Sequence, residues 1–142
     1  MSKVDLSIII PCYNEGPTFT KSVGKIIQEL KNMNLGWEII FVEDKSTDDT
    51  KSAVEALIKR IKNARSIFHR KNEGRGKSVS DGIKASKGGI CGYLDIDLEV
   101  SEKYIPIFIK EVEQGYDVVV GKRFYEGGGS SAILRFLASK IY

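Results

Sequence analysis

Ser7-Ile8-Ile9-Ile10-Pro11-Cys12-Tyr13-Asn14-Glu15 is the stretch that decides the fold. Leu6 to Ile10 is an apolar run rich in β-branched residues, interrupted only by Ser7, and it gives way within a few positions to Tyr13, Asn14 and Glu15. Such a run suits a strand buried on both faces, with polar groups where the chain leaves the sheet. The same change of character recurs along the sequence. Glu38 to Val42 is followed by Glu43-Asp44, Ser66 to Phe68 by His69-Arg70-Lys71-Asn72, Ile90 to Leu94 by Asp95-Ile96-Asp97, and Val118 to Val120 by Lys122-Arg123.

Between these runs the period changes from strand to helix. Val23, Ile26, Ile27 and Leu30 are spaced i, i+3, i+4, i+7, as are Val54, Leu57, Ile58 and Ile61, and again Ile105, Phe108, Ile109 and Val112. Each set forms one apolar helical stripe. Ser46 and Asp49 read as a capping box for the second of these helices, and Gly115 as the stop of the helix before the fifth strand. Strict alternation of strand and helix predicts a three-layer α/β/α, Rossmann-like domain with a mostly parallel sheet and right-handed crossovers. Gly127-Gly128-Gly129-Ser130-Ser131 reads as a loop into a last helix, with Ile133, Leu137 and Ile141 on one face and Arg135 and Ser139 on the next.

A chain of 142 residues, 42% hydrophobic and 29% charged, has the material for one ordinary core, so residues 1–142 are expected to form a single domain. The net charge of +3 arises from 22 basic and 19 acidic side chains that are interspersed, so it does not by itself argue for nucleic acid or anionic lipid, and no nucleic-acid partner is expected. Cys12 and Cys91 lie in apolar runs without metal-type spacing, which suits buried free thiols in a reducing, cytoplasmic compartment. No stretch approaches the roughly 18 apolar residues of a membrane span.

In open α/β sheets ligands bind beyond the carboxyl ends of the strands. There, Asp95 and Asp97 are two residues apart at the end of an extended segment, so both carboxylates project from one face, and Glu99 could add a third oxygen. Hard oxygen ligands suit Mg²⁺ or Mn²⁺. An isolated Asp-x-Asp is more often a solvated strand end, here one that caps the helix starting near Ser101. Arg70, Lys71, Arg75 and Lys77 surround Gly74 and Gly76 ahead of a helix, an arrangement that could cradle an anion or simply be a solvated loop. A Walker A loop would need glycine at Lys71, and a dinucleotide fingerprint would need it at Val79. The only histidine, His69, reads as a strand-end surface residue, and no catalytic triad surrounds it.

Taken in order, five segments resemble the family 2 glycosyltransferases of the GT-A fold, particularly the polyprenyl-phosphate (dolichol-phosphate) sugar synthases. Ser7 to Glu15 is similar to the family's opening strand and nucleoside-contacting loop, and Glu43-Asp44-Lys45-Ser46-Thr47-Asp48-Asp49-Thr50 to its Asp-Asp-x-Ser-x-Asp-x-Thr segment. Asn72-Glu73-Gly74-Arg75-Gly76-Lys77, with Gly82-Ile83 and Ala85-Ser86-Lys87-Gly88 following, resembles its Asn-x-Gly-Lys-Gly loop and third helix. Leu94 to Glu99 looks like its metal motif, and Val119-Val120-Gly121-Lys122-Arg123-Phe124 like its Val-Ile-Gly-Ser-Arg-Tyr strand end. The departures are Glu43 for Asp, Arg75 for Lys and Glu99 for Gln.

The resemblance implies an inverting glycosyltransferase that moves a sugar from a UDP- or GDP-sugar to a polyprenyl or dolichyl phosphate, or to a sugar acceptor. It implies nucleotide contacts at Pro11, Tyr13, Glu15, Asp44, Lys77 and Asp95. Mg²⁺ or Mn²⁺ would sit on Asp95, Asp97 and Glu99, with Asp97 and Arg123 catalytic, and the acceptor phosphate would meet Arg123, Arg135 and Ser139. It covers the first half to two-thirds of a typical catalytic domain, so the chain reads as truncated on its acceptor side. The longer protein would work at the cytoplasmic face of a membrane. The alternatives are a nucleotide-sugar-binding module without turnover and a nucleotidyltransferase, although no Gly-rich loop follows the first strand.

Overall fold

The computed structural model describes residues 3–121 and 138–140. Its elements alternate as the sequence predicts: β1 (Leu6–Cys12), α1 (Phe19–Lys31), β2 (Trp37–Glu43), α2 (Thr50–Arg60), β3 (Ala64–Phe68), α3 (Arg75–Ala85) and β4 (Ile90–Tyr93). A single 3-10 turn (Glu102–Tyr104), capped by the Ser101 hydroxyl, leads into α4 (Ile105–Glu113), and the two-residue β5 (Val118–Val119) follows. Gly115 ends α4 as expected, at φ 109°, a conformation that a side chain disfavours, and its N–H returns to the Val112 carbonyl.

With a last strand β6 (Ala138–Lys140), the sheet order is β3-β2-β1-β4-β6-β5, with the first four strands parallel. Successive side chains of β1 point to opposite faces, and both faces are apolar apart from Ser7. Leu6, Ile8, Ile10 and Cys12 join Ile39 and Phe41 in the larger core under α1, α2 and α4. Ile9 joins Ile40, Val42 and Cys91 in the smaller core under α3. Burying each aliphatic side chain contributes about 1.5–3 kcal/mol. Both cysteines are buried and free, and burial raises the Cys91 thiol to about 11.

α3 lies close to the sheet because Gly82 permits it. A Cβ at residue 82 would sit 2.5 Å from Ile9 Cγ2. Below α3, Glu38 is only 6% exposed. Its carboxylate accepts hydrogen bonds from Ser7 Oγ (2.7 Å), Lys87 N (2.8 Å) and Arg65 Nε (2.8 Å), while Ser7 Oγ also receives Gly88 N–H at 2.9 Å. The α3–β4 corner is thereby tied to the amino ends of β1 and β2.

Two expectations are corrected. Residues 138–140, placed by sequence in a final helix, form the strand β6 (Ala138–Lys140), antiparallel to both β4 and β5. Helical spacing therefore does not relate Ser139 to Arg135, which lies outside the described residues with residues 122–137. The physical reason is the sheet edge: without β6 the outer edge of β4 would expose unpaired N–H and C=O groups. The second correction is the capping box. Asp49 occupies the N-cap of α2 without a side-chain cap bond, and Ser46 is used elsewhere.

Candidate functional site

The order 3-2-1-4 makes the sheet switch direction between β1 and β4, the position where open α/β sheets form a crevice. The β1–β4 ladder stops at Ile9↔Tyr93, whereas β1 pairs with β2 as far as Cys12↔Glu43. The carboxyl end of β1 thus protrudes past β4. Ile9 carbonyl faces β4, receiving Leu94 N–H at 3.0 Å, so Pro11, two residues on, directs its missing donor towards the same side, where the ladder has ended. A cavity of about 330 Å³ opens there, lined by Pro11, Cys12, Tyr13, Glu15, Asp44 and Asp95 together with Asn72, Gly74, Arg75 and Ser78.

One wall is the loop after β1, and the acidic segment after β2 holds it in shape. Asn14 N–H donates to Ser46 Oγ (3.1 Å), Glu15 N–H to Thr50 Oγ1 (2.9 Å) and Gly16 N–H to Asp48 Oδ2 (3.1 Å). In return, Thr47 N–H donates to Asn14 Oδ1 at 2.8 Å. Glu43 Oε1 receives Ser46 N–H at 2.6 Å, which holds the segment itself. Asn14 and Lys45 both adopt left-handed backbone, at φ 54° and 64°, a strained conformation that the cross-loop bonds hold in place. The Ser, Asp and Thr of the segment are therefore fasteners for the neighbouring loop.

The opposite wall is the β3–α3 corner, and Asp44 fixes it. Its Oδ1 accepts Glu73 N–H (2.8 Å) and lies 2.7 Å from His69 Nδ1, and its Oδ2 accepts Gly74 N–H (2.8 Å). Burial pushes the Asp44 carboxyl up, but the bonds from Glu73, His69 and Gly74 outweigh it and hold it below its usual range. Gly74, at φ 87°, is the N-cap of α3, so the first-turn N–H groups and the positive end of the helix dipole favour an anion beside the cavity. Ser78, 1% exposed, bonds back to the Gly74 carbonyl at 3.2 Å. Lys77 pairs with Asp81 one turn along α3 and is not among the lining residues.

The third side is acidic. Asp95 forms an ion pair with Arg75, whose guanidinium also lies 5.6 Å from the Tyr93 ring centroid. Burial raises the Asp95 carboxyl, Arg75 opposes the rise, and Asp97 and Glu99 add repulsion. Glu15 is likewise raised, first by burial and then by Asp97, Asp95 and Asp48, despite the Tyr13 N–H that its Oε1 accepts at 2.9 Å. Asp95 and Asp97 do not continue the strand. With the β4 ladder ended, Leu98 N–H closes a turn onto the Asp95 carbonyl at 3.2 Å, and Asp97 and Glu99 are exposed outside the cavity, the Glu99 N–H meeting Asp97 Oδ1 at 3.0 Å. The extended, same-face geometry expected for the pair is thus replaced by a turn. Among the described residues no three His, Cys, Asp or Glu side chains form a closed metal cluster. The crowding of like charges on Asp95 and Glu15 is nonetheless the chemistry a divalent cation relieves, and Mg²⁺ and Mn²⁺ sites commonly use one or two carboxylates plus water and phosphate oxygens.

Five of the six expected nucleotide contacts, Pro11, Tyr13, Glu15, Asp44 and Asp95, thus share one cavity. Cys12, Asn72 and Ser78 line it without having been singled out as contacts. For Ser78 the signal was a small polar residue in the first turn of a helix that follows a glycine. His69 is also corrected: its side chain is 8% exposed, held between Asp44 and Asp81. Arg123 lies outside the described residues.

A mostly parallel sheet with helices on both faces and a cavity at its switch point defines an α/β architecture of the GT-A type. Solved structures share the fold. Mannosyltransferase PcManGT from Pyrobaculum calidifontis, in complex with GDP-Man and Mn²⁺, has a TM-score of 0.66 at 20% identity over 84% of this chain and 34% of that one. TarS of S. aureus (residues 1–349) has a TM-score of 0.63 at 22% identity over 89% of this chain and 38% of that one. The chain belongs to glycosyl transferase family 2, whose pattern matches residues 7–138. CsbB of Bacillus subtilis (strain 168) is 31% identical over 137 residues, 96% of this chain and 41% of its own length. The dolichol-phosphate mannosyltransferase of Pyrococcus furiosus is 30% identical over 123 residues, 87% of this chain and 34% of its own. The chain therefore spans 34–41% of the length of these relatives. Among the described residues no helix is long and apolar enough to cross a membrane.

Proposed function

We propose that this chain is the donor-binding part of an inverting glycosyltransferase that takes a sugar from a UDP- or GDP-sugar, with Mg²⁺ or Mn²⁺, and passes it to a polyprenyl or dolichyl phosphate. The observation that carries the reading is the cavity at the β1–β4 switch point, with Pro11, Tyr13, Glu15, Asp44 and Asp95 on its walls. Pro11 and Tyr13 offer an apolar surface to a base, Glu15 and Asp44 offer acceptors to base and ribose, and the α3 N-terminus favours the diphosphate. Asp95, with Asp97 and Glu99 behind it, would hold the cation, which when bound stabilises the negative charge of a leaving diphosphate. Engagement of Asp95 would require its ion pair with Arg75 to open, freeing the guanidinium for a phosphate oxygen. Arg123 is proposed to face the diphosphate or the acceptor phosphate.

A lipid phosphate arrives already anionic, so the displacement at the anomeric carbon needs no protein base. The relative named for dolichol phosphate supports that acceptor class, and the fold neighbour complexed with GDP-Man and Mn²⁺ supports the donor and metal classes. The test is a thermal-shift series with UDP and GDP, each with Mn²⁺ and with EDTA. A rise in melting temperature that depends on Mn²⁺ is expected, because a ligand that binds only the folded state stabilises it. No rise with either nucleotide would overturn the reading, and an equal rise in EDTA would remove the metal from it.

A further inference from the structure

We propose that His69 is a positioning residue for the cavity, holding the Asp44 carboxylate where it fixes the Glu73–Gly74 corner. Its backbone leaves β3 with the N–H on the Glu43 carbonyl at 2.9 Å, so the base of the side chain is set by the β2–β3 ladder. The ring is buried, 8% exposed, with Nδ1 2.7 Å from Asp44 Oδ1 and Nε2 3.2 Å from Asp81 Oδ2. It therefore links the ends of β2 and β3 to the middle of α3.

The partners decide what the ring does. A carboxylate only accepts hydrogen bonds, so the bond to Asp44 Oδ1, the shorter of the two, is made by the ring in a form that carries its proton on Nδ1. Glu73 N–H and His69 Nδ1 occupy Asp44 Oδ1, and Gly74 N–H occupies Oδ2. With about four lone-pair sites on a carboxylate, one site on Oδ2 remains uncommitted among the described residues, on a side chain that lines the cavity. Removing the imidazole frees Asp44 to rotate, and rotation releases both loop amides and redirects the open lone pair. A histidine that merely tied β3 to α3 would change stability and leave the cavity alone.

That difference is measurable. The positioning claim stands on geometry alone, whereas its effect on nucleotide affinity rests on the donor-site reading above, so the experiment has separate arms. His69→Phe keeps the ring volume without donors, and His69→Gln keeps one donor towards Asp44. For each, amide hydrogen exchange at Glu73 and Gly74 is measured without ligand, and the Kd for UDP and for GDP is measured with Mn²⁺, well below the thermal midpoint. We expect His69→Phe to speed exchange at both amides and weaken nucleotide binding, each on the order of tenfold, the loss of one hydrogen bond to a charged group. His69→Gln should recover part of both effects. Because His69 is the only histidine, its ring proton signals are unambiguous, and they should shift when nucleotide binds to the wild type. If His69→Phe does not fold, Asp81→Ala removes the outer partner from a more exposed position and should change the same readouts in the same direction, by about twofold to threefold. Unchanged exchange at Glu73 and Gly74 in a folded variant overturns the proposal, as does faster exchange with an unchanged Kd. A wild type that binds neither nucleotide overturns the donor-site reading, and the exchange rates then decide the positioning claim.

Discussion

Replacing Gly82 with alanine sets two known effects against each other. Gly82 lies inside α3, where alanine is favoured over glycine by about 1 kcal/mol. Against that gain, the added Cβ would meet Ile9 Cγ2 at 2.5 Å, Cγ1 at 2.8 Å and Cβ at 3.2 Å. Carbon atoms rest at about 3.5–4.0 Å, so the overlap with Cγ2 is about 1 Å or more. Ile9 cannot easily yield, because it is β-branched, fully buried and on a central strand paired on both sides. Either α3 lifts from the sheet or Ile9 leaves its rotamer, and overpacking of this kind costs about 1–3 kcal/mol. With an overlap this large the steric cost lies towards the upper end and outweighs propensity, leaving up to about 2 kcal/mol of destabilisation, or a fall in melting temperature of up to roughly 8 °C for a chain of this size. Because Gly74, Arg75 and Ser78 of the same segment line the cavity, nucleotide affinity should fall as well. The check is thermal and urea denaturation of Gly82→Ala, Ile9→Ala and the double variant. Ile9→Ala removes both clashing γ carbons, so the double variant should be at least about 1 kcal/mol more stable than the sum of the singles requires. A Gly82→Ala protein that melts higher than the wild type, or a cycle that is additive to within about 0.5 kcal/mol, would refute the close-approach argument.

Three further outcomes follow from the site and its supports. Asp48→Ala removes the acceptor for both Gly16 N–H and Thr50 N–H, so the loop after β1 should loosen and nucleotide Kd rise by roughly tenfold with little loss of secondary structure, as read by calorimetry and circular dichroism. Glu38 has a folded-state carboxyl pKa held down, against burial, by Arg65, Ser7 and the Lys87 N–H. Its contribution is therefore complete above the ordinary glutamate value of about 4.3 and disappears as the pH falls through the lower folded value, so Glu38→Gln should be less stable than the wild type at pH 7 and converge on it towards pH 3 in urea titrations. A gap that stays constant with pH would show that the charge is not what matters. Asp97→Asn should abolish the Mn²⁺-dependent part of nucleotide stabilisation in a thermal-shift assay while leaving the apo melting temperature within about 2 °C of the wild type, since the residue is exposed. Unfolding of that variant would assign Asp97 to the scaffold instead.

The alternation of strand and helix was legible in the sequence because burial on both faces demands unbroken apolar runs, and because one-sided burial of a helix demands a 3.6-residue stripe. Leu6 to Cys12 and the Val23, Ile26, Leu30 stripe carry that information locally. The position of the site was legible for the same reason: in a parallel sheet every strand ends on the same side, so the polar residues after β1, β2 and β4 had to lie near one another. Which of them line the cavity and which brace it was decided only by the tertiary structure. Ser46, Asp48 and Thr50 meet the backbone of residues 14–16, and Asp44 meets that of Glu73 and Gly74, across sequence separations that no local pattern encodes. His69, polar and at a strand end, carries the sequence signature of a surface residue, and only the arrival of Asp44 and Asp81 on either side buries it. The strand at 138–140 was hidden for a related reason. Its residues have no strand periodicity of their own, and what makes them extended is the open edge of β4, a partner 48 to 50 residues away in the chain whose unpaired backbone groups satisfy theirs.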